Sequence, residues 1–136
     1  MATRIDHFKI SVSDFEKSRR FYYSLFKFIG LKKVFESRDK NNAWGGDIVM
    51  FGPATKDWTF EIQEGSVKAK FNRGRAGLDH IAFTAPSKRK VDALYRFLKG
   101  RGETAFEPRK YPEYAKSYYA CFFLDPDGIV LEYVYS

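Results

Sequence analysis

The chain has 136 residues, 44% of them hydrophobic, with 24 Lys and Arg against 17 Asp and Glu and a formal charge of +7. That length suits one ordinary core without covalent staples, and the single cysteine, Cys121, excludes an internal disulfide and a thiolate zinc cluster. The basic residues come in short pieces (Lys17/Arg19/Arg20, Lys32/Lys33, Lys68/Lys70/Arg73/Arg75, Lys88/Arg89/Lys90) without a long run, so nucleic acid is not an expected partner.

The opening segment MATRIDHFKISVSD has no long apolar stretch, which predicts neither a secretory leader nor a membrane span and places the chain in the cytoplasm. From residue 4 to 12 apolar and polar residues alternate, with Phe8, Ile10 and Val12 on one side and His7, Lys9 and Ser11 on the other; this is a strand. Ser13, followed three residues later by Glu16, predicts an N-cap and capping box. Phe15, Tyr22, Leu25, Phe26 and Ile29 then form a helical stripe that stops at Gly30. Segments 31–37, 46–51 and 58–63, rich in aromatic and β-branched residues, read as three further strands.

The second half runs in the same order. A strand at 78–85 leads to a helix capped by Ser87, carrying Val91, Leu94, Tyr95 and Leu98 on one face and ending at Gly100. Strands follow near 103–107, 118–124 and 129–135, the last two joined by the turn Asp125-Pro126-Asp127-Gly128. Stretches 38–46, 65–77 and 108–117 read as loops. Ile5-Asp6-His7 returns as Leu78-Asp79-His80, an offset of 73 residues, and Phe60-Glu61-Ile62 returns as Leu131-Glu132-Tyr133, an offset of 71. Two echoes at nearly one offset imply a duplicated supersecondary unit. The expected fold is therefore α+β, with two tandem βαβββ modules in one domain over 1–136: module one at about 1–65, a linker at about 65–77 and module two at about 78–136.

Alternation also decides what the polar residues face. His7 and His80 leave the side that must cover a helix, as do Glu61 and Glu132, and a carboxylate on the strongly apolar last strand needs a partner because a lone buried charge costs several kcal/mol. Modules packed through their non-helical faces would gather His7, Glu61, His80 and Glu132 around one point. Two imidazoles and two carboxylates suit one divalent ion of zinc, nickel, cobalt, manganese or iron, with positions left open for water or substrate. Lys9, Ser11, Gln63 and Thr84 share the same face and are candidates to hold an anionic group of a small-molecule substrate, and Tyr118 is a candidate for one rim.

IDHFKISVSDFEKSRRFYYSLF at the start, GLDHIAFTAP at the module boundary and YYACFFLDPDGIVLEYV at the end together resemble the vicinal-oxygen-chelate superfamily, which includes glyoxalase I, extradiol dioxygenases, methylmalonyl-CoA epimerase and the fosfomycin and bleomycin resistance proteins. The resemblance covers nearly the whole chain. It implies mixed sheets forming an open barrel-like cleft, a homodimer, and metal ligands at His7, Glu61, His80 and Glu132, a set similar to that of glyoxalase I and of the epimerase. The implied activity is that of a glyoxalase-I-like lyase or isomerase in which a substrate with two neighbouring oxygens loses a proton to Glu132 or Glu61 and passes through an enediolate. An extradiol-type dioxygenase and a binding protein without turnover are the alternatives within the same fold. Glutathione use is not carried over: enzymes that use it often have Arg four residues after the first histidine and Asn shortly after the first glutamate, where this chain has Ser11 and Glu64-Gly65.

Overall fold

The computed structural model describes residues 2–136. Its chain divides into two compact units, the first running to Lys70 and the second from Phe71 to Ser136. Both units have the expected β-α-β-β-β order. The first contains β1 (His7–Val12), α1 (Phe15–Ile29), β2 (Lys32–Ser37), β3 (Ile48–Gly52) and β4 (Thr59–Glu64); the second contains β5 (His80–Thr84), α2 (Lys88–Gly100), β6 (Arg109–Lys110), β7 (Tyr119–Leu124) and β8 (Val130–Tyr135). Each forms one mixed four-stranded sheet, in the order β1-β4-β3-β2 in one unit and β5-β8-β7-β6 in the other. The helix crossover makes β1 parallel to β4 and β5 parallel to β8, while the remaining pairs are antiparallel.

Alternation sorts each sheet into two faces. In the first unit Phe60 and Ile62 of β4 and Phe51 of β3 are buried with Tyr22, Leu25 and Phe26 of α1, and Phe26 meets the rings of both Phe51 and Phe60 at 5.0 and 5.2 Å. The core is largely aromatic. In the second unit Val91, Leu94 and Leu98 of α2 are buried along with Leu131, Phe123 and Cys121, a more aliphatic filling. Burial pushes the Cys121 thiol up to about 12, so it stays a neutral packing group at physiological pH.

The termini of several elements differ from expectation. Asp14, not Ser13, caps α1, accepting from the Lys17 amide at 3.1 Å. Because the helix starts at Phe15, Glu16 is its second residue and cannot close a capping box; Ser13 instead donates to the Ala69 carbonyl at 3.3 Å. Gly30 does stop the helix, in the left-handed region with φ of 93°. In the second unit Ser87 caps α2 as expected, accepting from Lys90, and Gly100 is the last helical residue, with Arg101 as the C-cap and Gly102 taking the positive φ.

The expected strand near 103–107 is not a strand. Ala105 makes an isolated bridge with Phe123, flanked by bonds from the Phe106 amide to Phe122 and from the Leu124 amide to Thr104. Pro108 has no amide proton with which to continue that ladder, and pairing resumes only in the two residues of β6, inside a stretch expected to be loop.

Candidate functional site

The first unit places His7 at the first position of β1, opposite Thr59 of the parallel strand β4, and Lys9 opposite Glu61. Paired residues of neighbouring strands share a face, so His7, Lys9, Ser11, Thr59, Glu61 and Gln63 line the side of the sheet away from α1. Glu61 is buried, at 8% exposure, while Lys9 and Ser11 remain exposed. One oxygen of Glu61, Oε2, accepts from the Thr59 hydroxyl at 2.8 Å. The His7 ring bonds through Nδ1 to the Asp6 carboxylate at 2.8 Å, and this bond, with Glu61 adding to it, raises the imidazole above its ordinary pKa. Gln63 donates to the Trp44 carbonyl at 2.5 Å, which ties the strand to the loop over residues 38–46.

The corresponding face of the second unit is more tightly connected. His80 opens β5 and Glu132 lies on β8, paired with Ala82 of β5 and with Phe122 of β7. Glu132 is only 1% exposed. Its Oε2 lies 3.0 Å from His80 Nε2, and its Oε1 accepts from the Tyr118 hydroxyl at 2.5 Å. Burial first, and then the bond to Glu132, push the Tyr118 phenol well above its ordinary pKa. Behind the histidine, His80 Nδ1 lies 2.6 Å from Asp79, whose carboxylate also accepts from Arg73 Nε at 2.8 Å. These two partners hold Asp79 below the usual carboxylate range, with His80 the larger influence. An unbroken polar chain thus runs Arg73, Asp79, His80, Glu132, Tyr118. The Phe122 and His80 rings meet at an angle of 64° with centroids 5.6 Å apart, while Thr84, at the far end of β5, is exposed.

Each unit therefore brings together one imidazole and one buried carboxylate of the expected ligand set. Within neither unit do three His, Cys, Asp or Glu side chains converge as a metal cluster among the described residues. The donor chemistry nevertheless fits a divalent ion. A nitrogen and an oxygen 3.0 Å apart suit two neighbouring ligands of one ion whose bonds run about 2.0–2.2 Å, and in both units Nδ1 is engaged by an aspartate, so Nε2 is the ring nitrogen that could serve a metal.

Sequence reasoning missed Thr59, Asp6, Asp79 and Arg73 and gave Tyr118 only a rim position. The signal for the aspartates was present, since the duplicated tripeptides Ile5-Asp6-His7 and Leu78-Asp79-His80 repeat the Asp as faithfully as the His. A cavity of about 450 Å³ in the first unit lies elsewhere: Tyr23, Lys27, Leu31, Lys32, Lys33 and Phe51 line it at the end of α1, on the side of the sheet opposite Glu61. Lys27 there complements the negative end of the helix.

Residues 4–133 match the family model of the Glyoxalase/Bleomycin resistance protein/Dioxygenase superfamily. The chain is 30% identical over 129 residues to the uncharacterized protein YqjT of Bacillus subtilis (strain 168), covering 94% of this chain and 95% of that one. A crystal structure of a provisionally assigned glyoxalase from Bacillus halodurans is similar at 27% identity and a TM-score of 0.76, over 96% of this chain and 93% of that one. The fold is also that of the fosfomycin resistance protein FosX of Listeria monocytogenes, at 20% identity and a TM-score of 0.69, over 98% of this chain and 93% of that one.

Proposed function

Given that the chain belongs to the Glyoxalase/Bleomycin resistance protein/Dioxygenase superfamily, whose members bind small molecules, often as dimers, and typically use divalent metals, we propose that it is a metal-dependent lyase or isomerase of the glyoxalase type. In this reading His7, Glu61, His80 and Glu132 hold one divalent ion, of zinc, nickel, cobalt, manganese or iron, and the substrate is a small molecule with two vicinal oxygens. The observation that carries the reading is the His80 Nε2 to Glu132 Oε2 contact at 3.0 Å around a carboxylate that is 1% exposed. A buried charge of this kind is kept where a cation or a full set of hydrogen bonds neutralises it.

When bound, a divalent ion supplies Lewis-acid stabilisation of the charge that develops on the substrate oxygens. The chain's own groups do the rest. A proton next to the substrate carbonyl passes to a carboxylate oxygen of Glu61 or Glu132, each of which is already screened from bulk water. Tyr118 holds Oε1 of Glu132, so only the remaining oxygen of that carboxylate is available to ligand or proton. Lys9, Ser11, Gln63 and Thr84 line the same faces as the ligands and supply cationic and hydrogen-bonding partners for an anionic substrate group. The protein acts as a homodimer in the cytoplasm; none of its described helices is long and apolar enough to cross a membrane.

Elemental analysis tests the reading. Wild-type protein is expected to carry stoichiometric metal, and His7→Ala and Glu132→Ala are each expected to lose it. Full metal retention by both variants would remove the ligand assignment. Oxygen uptake on catechols by the loaded protein would replace the isomerase with a ring-cleaving dioxygenase.

A further inference from the structure

The two histidines share an arrangement that the ligand assignment does not require. In both units the strand begins at the histidine itself, with β1 starting at His7 and β5 at His80. The preceding aspartate thus stands just outside the regular pleat, which would otherwise send adjacent side chains to opposite faces. Freed from that alternation, each aspartate folds back onto its neighbour. Asp6 Oδ1 lies 2.8 Å from His7 Nδ1, and Asp79 Oδ1 lies 2.6 Å from His80 Nδ1.

Further contacts fix the aspartates. The Asp6 carbonyl accepts from the Thr59 amide at 3.1 Å, tying its backbone to β4, and the Asp79 carboxylate accepts from Arg73 Nε at 2.8 Å. The opposite nitrogen of His80 already faces a proposed ligand carboxylate, 3.0 Å away. A side chain that is 92% exposed, as in Asp6, contributes little to folding through one ion pair, so stability alone does not account for the same contact occurring twice.

We infer that Asp6 and Asp79 are positioning residues that hold Nδ1–H of His7 and His80 and so present Nε2 of each ring to the metal ion. This rests on the metal reading above. A histidine whose ring can spin and whose proton can sit on either nitrogen pays an orientational cost on binding, which a carboxylate on Nδ1 removes; it also makes the ligand nitrogen a stronger donor.

The test is a competition titration of zinc against a chromophoric chelator for wild type, Asp6→Ala, Asp79→Ala, the two Asp→Asn variants, His7→Ala and His80→Ala. Long-range nitrogen-15 spectra of the zinc-loaded wild type accompany it. Each Asp→Ala variant is expected to bind zinc roughly 10–100-fold more weakly, with unchanged far-ultraviolet circular dichroism. The Asp→Asn variants, which keep an acceptor for Nδ1–H, should recover part of the loss. In the spectra both rings should carry the metal on Nε2 and the proton on Nδ1. A loss under tenfold in both Asp→Ala variants, or metal on Nδ1 of either ring, overturns the inference while the two His→Ala variants still lose zinc and the site assignment stands. Zinc binding that survives in both His→Ala variants instead removes the site, and this inference with it.

Discussion

The two units carry the same topology and the same imidazole–carboxylate pair, yet they complete that pair by different means. In the first, Glu61 takes one hydrogen bond, from Thr59, a residue of its own strand. In the second, Glu132 has both oxygens engaged, one by His80 and one by Tyr118, and Arg73 and Asp79 extend the chain behind the histidine. The register explains the difference. Met50 pairs with Glu61 as Phe122 pairs with Glu132, and four residues before each stand Gly46 and Tyr118. Gly46 has no side chain to offer. Conversely, Val130, which occupies the position corresponding to Thr59 two residues before the glutamate, has no hydroxyl. Duplication supplied the strands and the paired histidines and glutamates, whereas residues at loop and strand margins determine how firmly each carboxylate is held.

The cores differ as well, and they set the largest expected effect. Phe60 and Leu131 occupy equivalent places, each directly before its glutamate and each essentially fully buried. Phe60 packs against the rings of Phe8, Tyr22 and Phe26 at 5.2–5.7 Å. Phe60→Ala is expected to lower unfolding stability by about 3–5 kcal/mol, toward the upper end, and Leu131→Ala by about 2–5 kcal/mol, toward the lower end. Chemical denaturation of metal-free protein measures both. A larger loss at Leu131 would reverse the ranking of the two cores.

A smaller effect separates the two carboxylates. Tyr118→Phe leaves Oε1 of a fully buried Glu132 without its donor, and is expected to cost about 1.5–3 kcal/mol, as for bonds to charged groups. Thr59→Val acts on Glu61, at 8% exposure, where water can take the place of the hydroxyl, and should cost under about 1 kcal/mol. Equal losses in thermal or denaturant unfolding would mean that the two halves are held alike.

What the sequence made legible follows from these contrasts. Period-two alternation in HFKISV and the stripe Phe15, Tyr22, Leu25, Phe26 read correctly because one sheet face and one helix face must be buried, so each residue carries its own evidence. The offset of 73 residues between His7 and His80 likewise led to the equivalent positions that the structure gives them. Hydrogen bonds made at the margins of elements were not legible. Whether Ser13 or Asp14 caps α1 depends on where Phe15 packs, since both side chains are chemically fit for the role. Tyr118 stands next to Tyr119, and nothing in YYACFF says that the first hydroxyl reaches Glu132 while the second reaches Asp92. The short strand Arg109–Lys110 has no periodicity to detect.

The smallest expected effect concerns how each helix is tied to its sheet. The fifth residue of α1, Arg19, makes a two-pronged ion pair with Glu36 of β2, the Nη2 to Oε2 contact being 3.2 Å. The fifth residue of α2, Asp92, accepts from the Tyr119 hydroxyl of β7 at 2.5 Å. Arg19, through its hydrogen bond, holds the Glu36 carboxyl below its ordinary value of 4.5. Asp92, with burial second, pushes the Tyr119 phenol up to about 12. A depressed carboxyl stabilises the fold above its unfolded pKa, and that contribution disappears as pH falls below about 4.5 and through the folded value. A raised phenol stabilises the fold below its unfolded pKa of 10.0, and that contribution disappears as pH rises from there toward about 12. One tie therefore weakens in acid and the other in alkali. Glu36→Gln should lower stability at neutral pH by on the order of 1 kcal/mol and flatten the acid limb of the stability profile, while Tyr119→Phe should flatten the alkaline limb and leave the acid limb alone. Unfolding midpoints measured across pH for the two variants would break the contrast if both changed the same limb, because the two helices would then be anchored through a shared titration rather than through separate bonds of opposite sign.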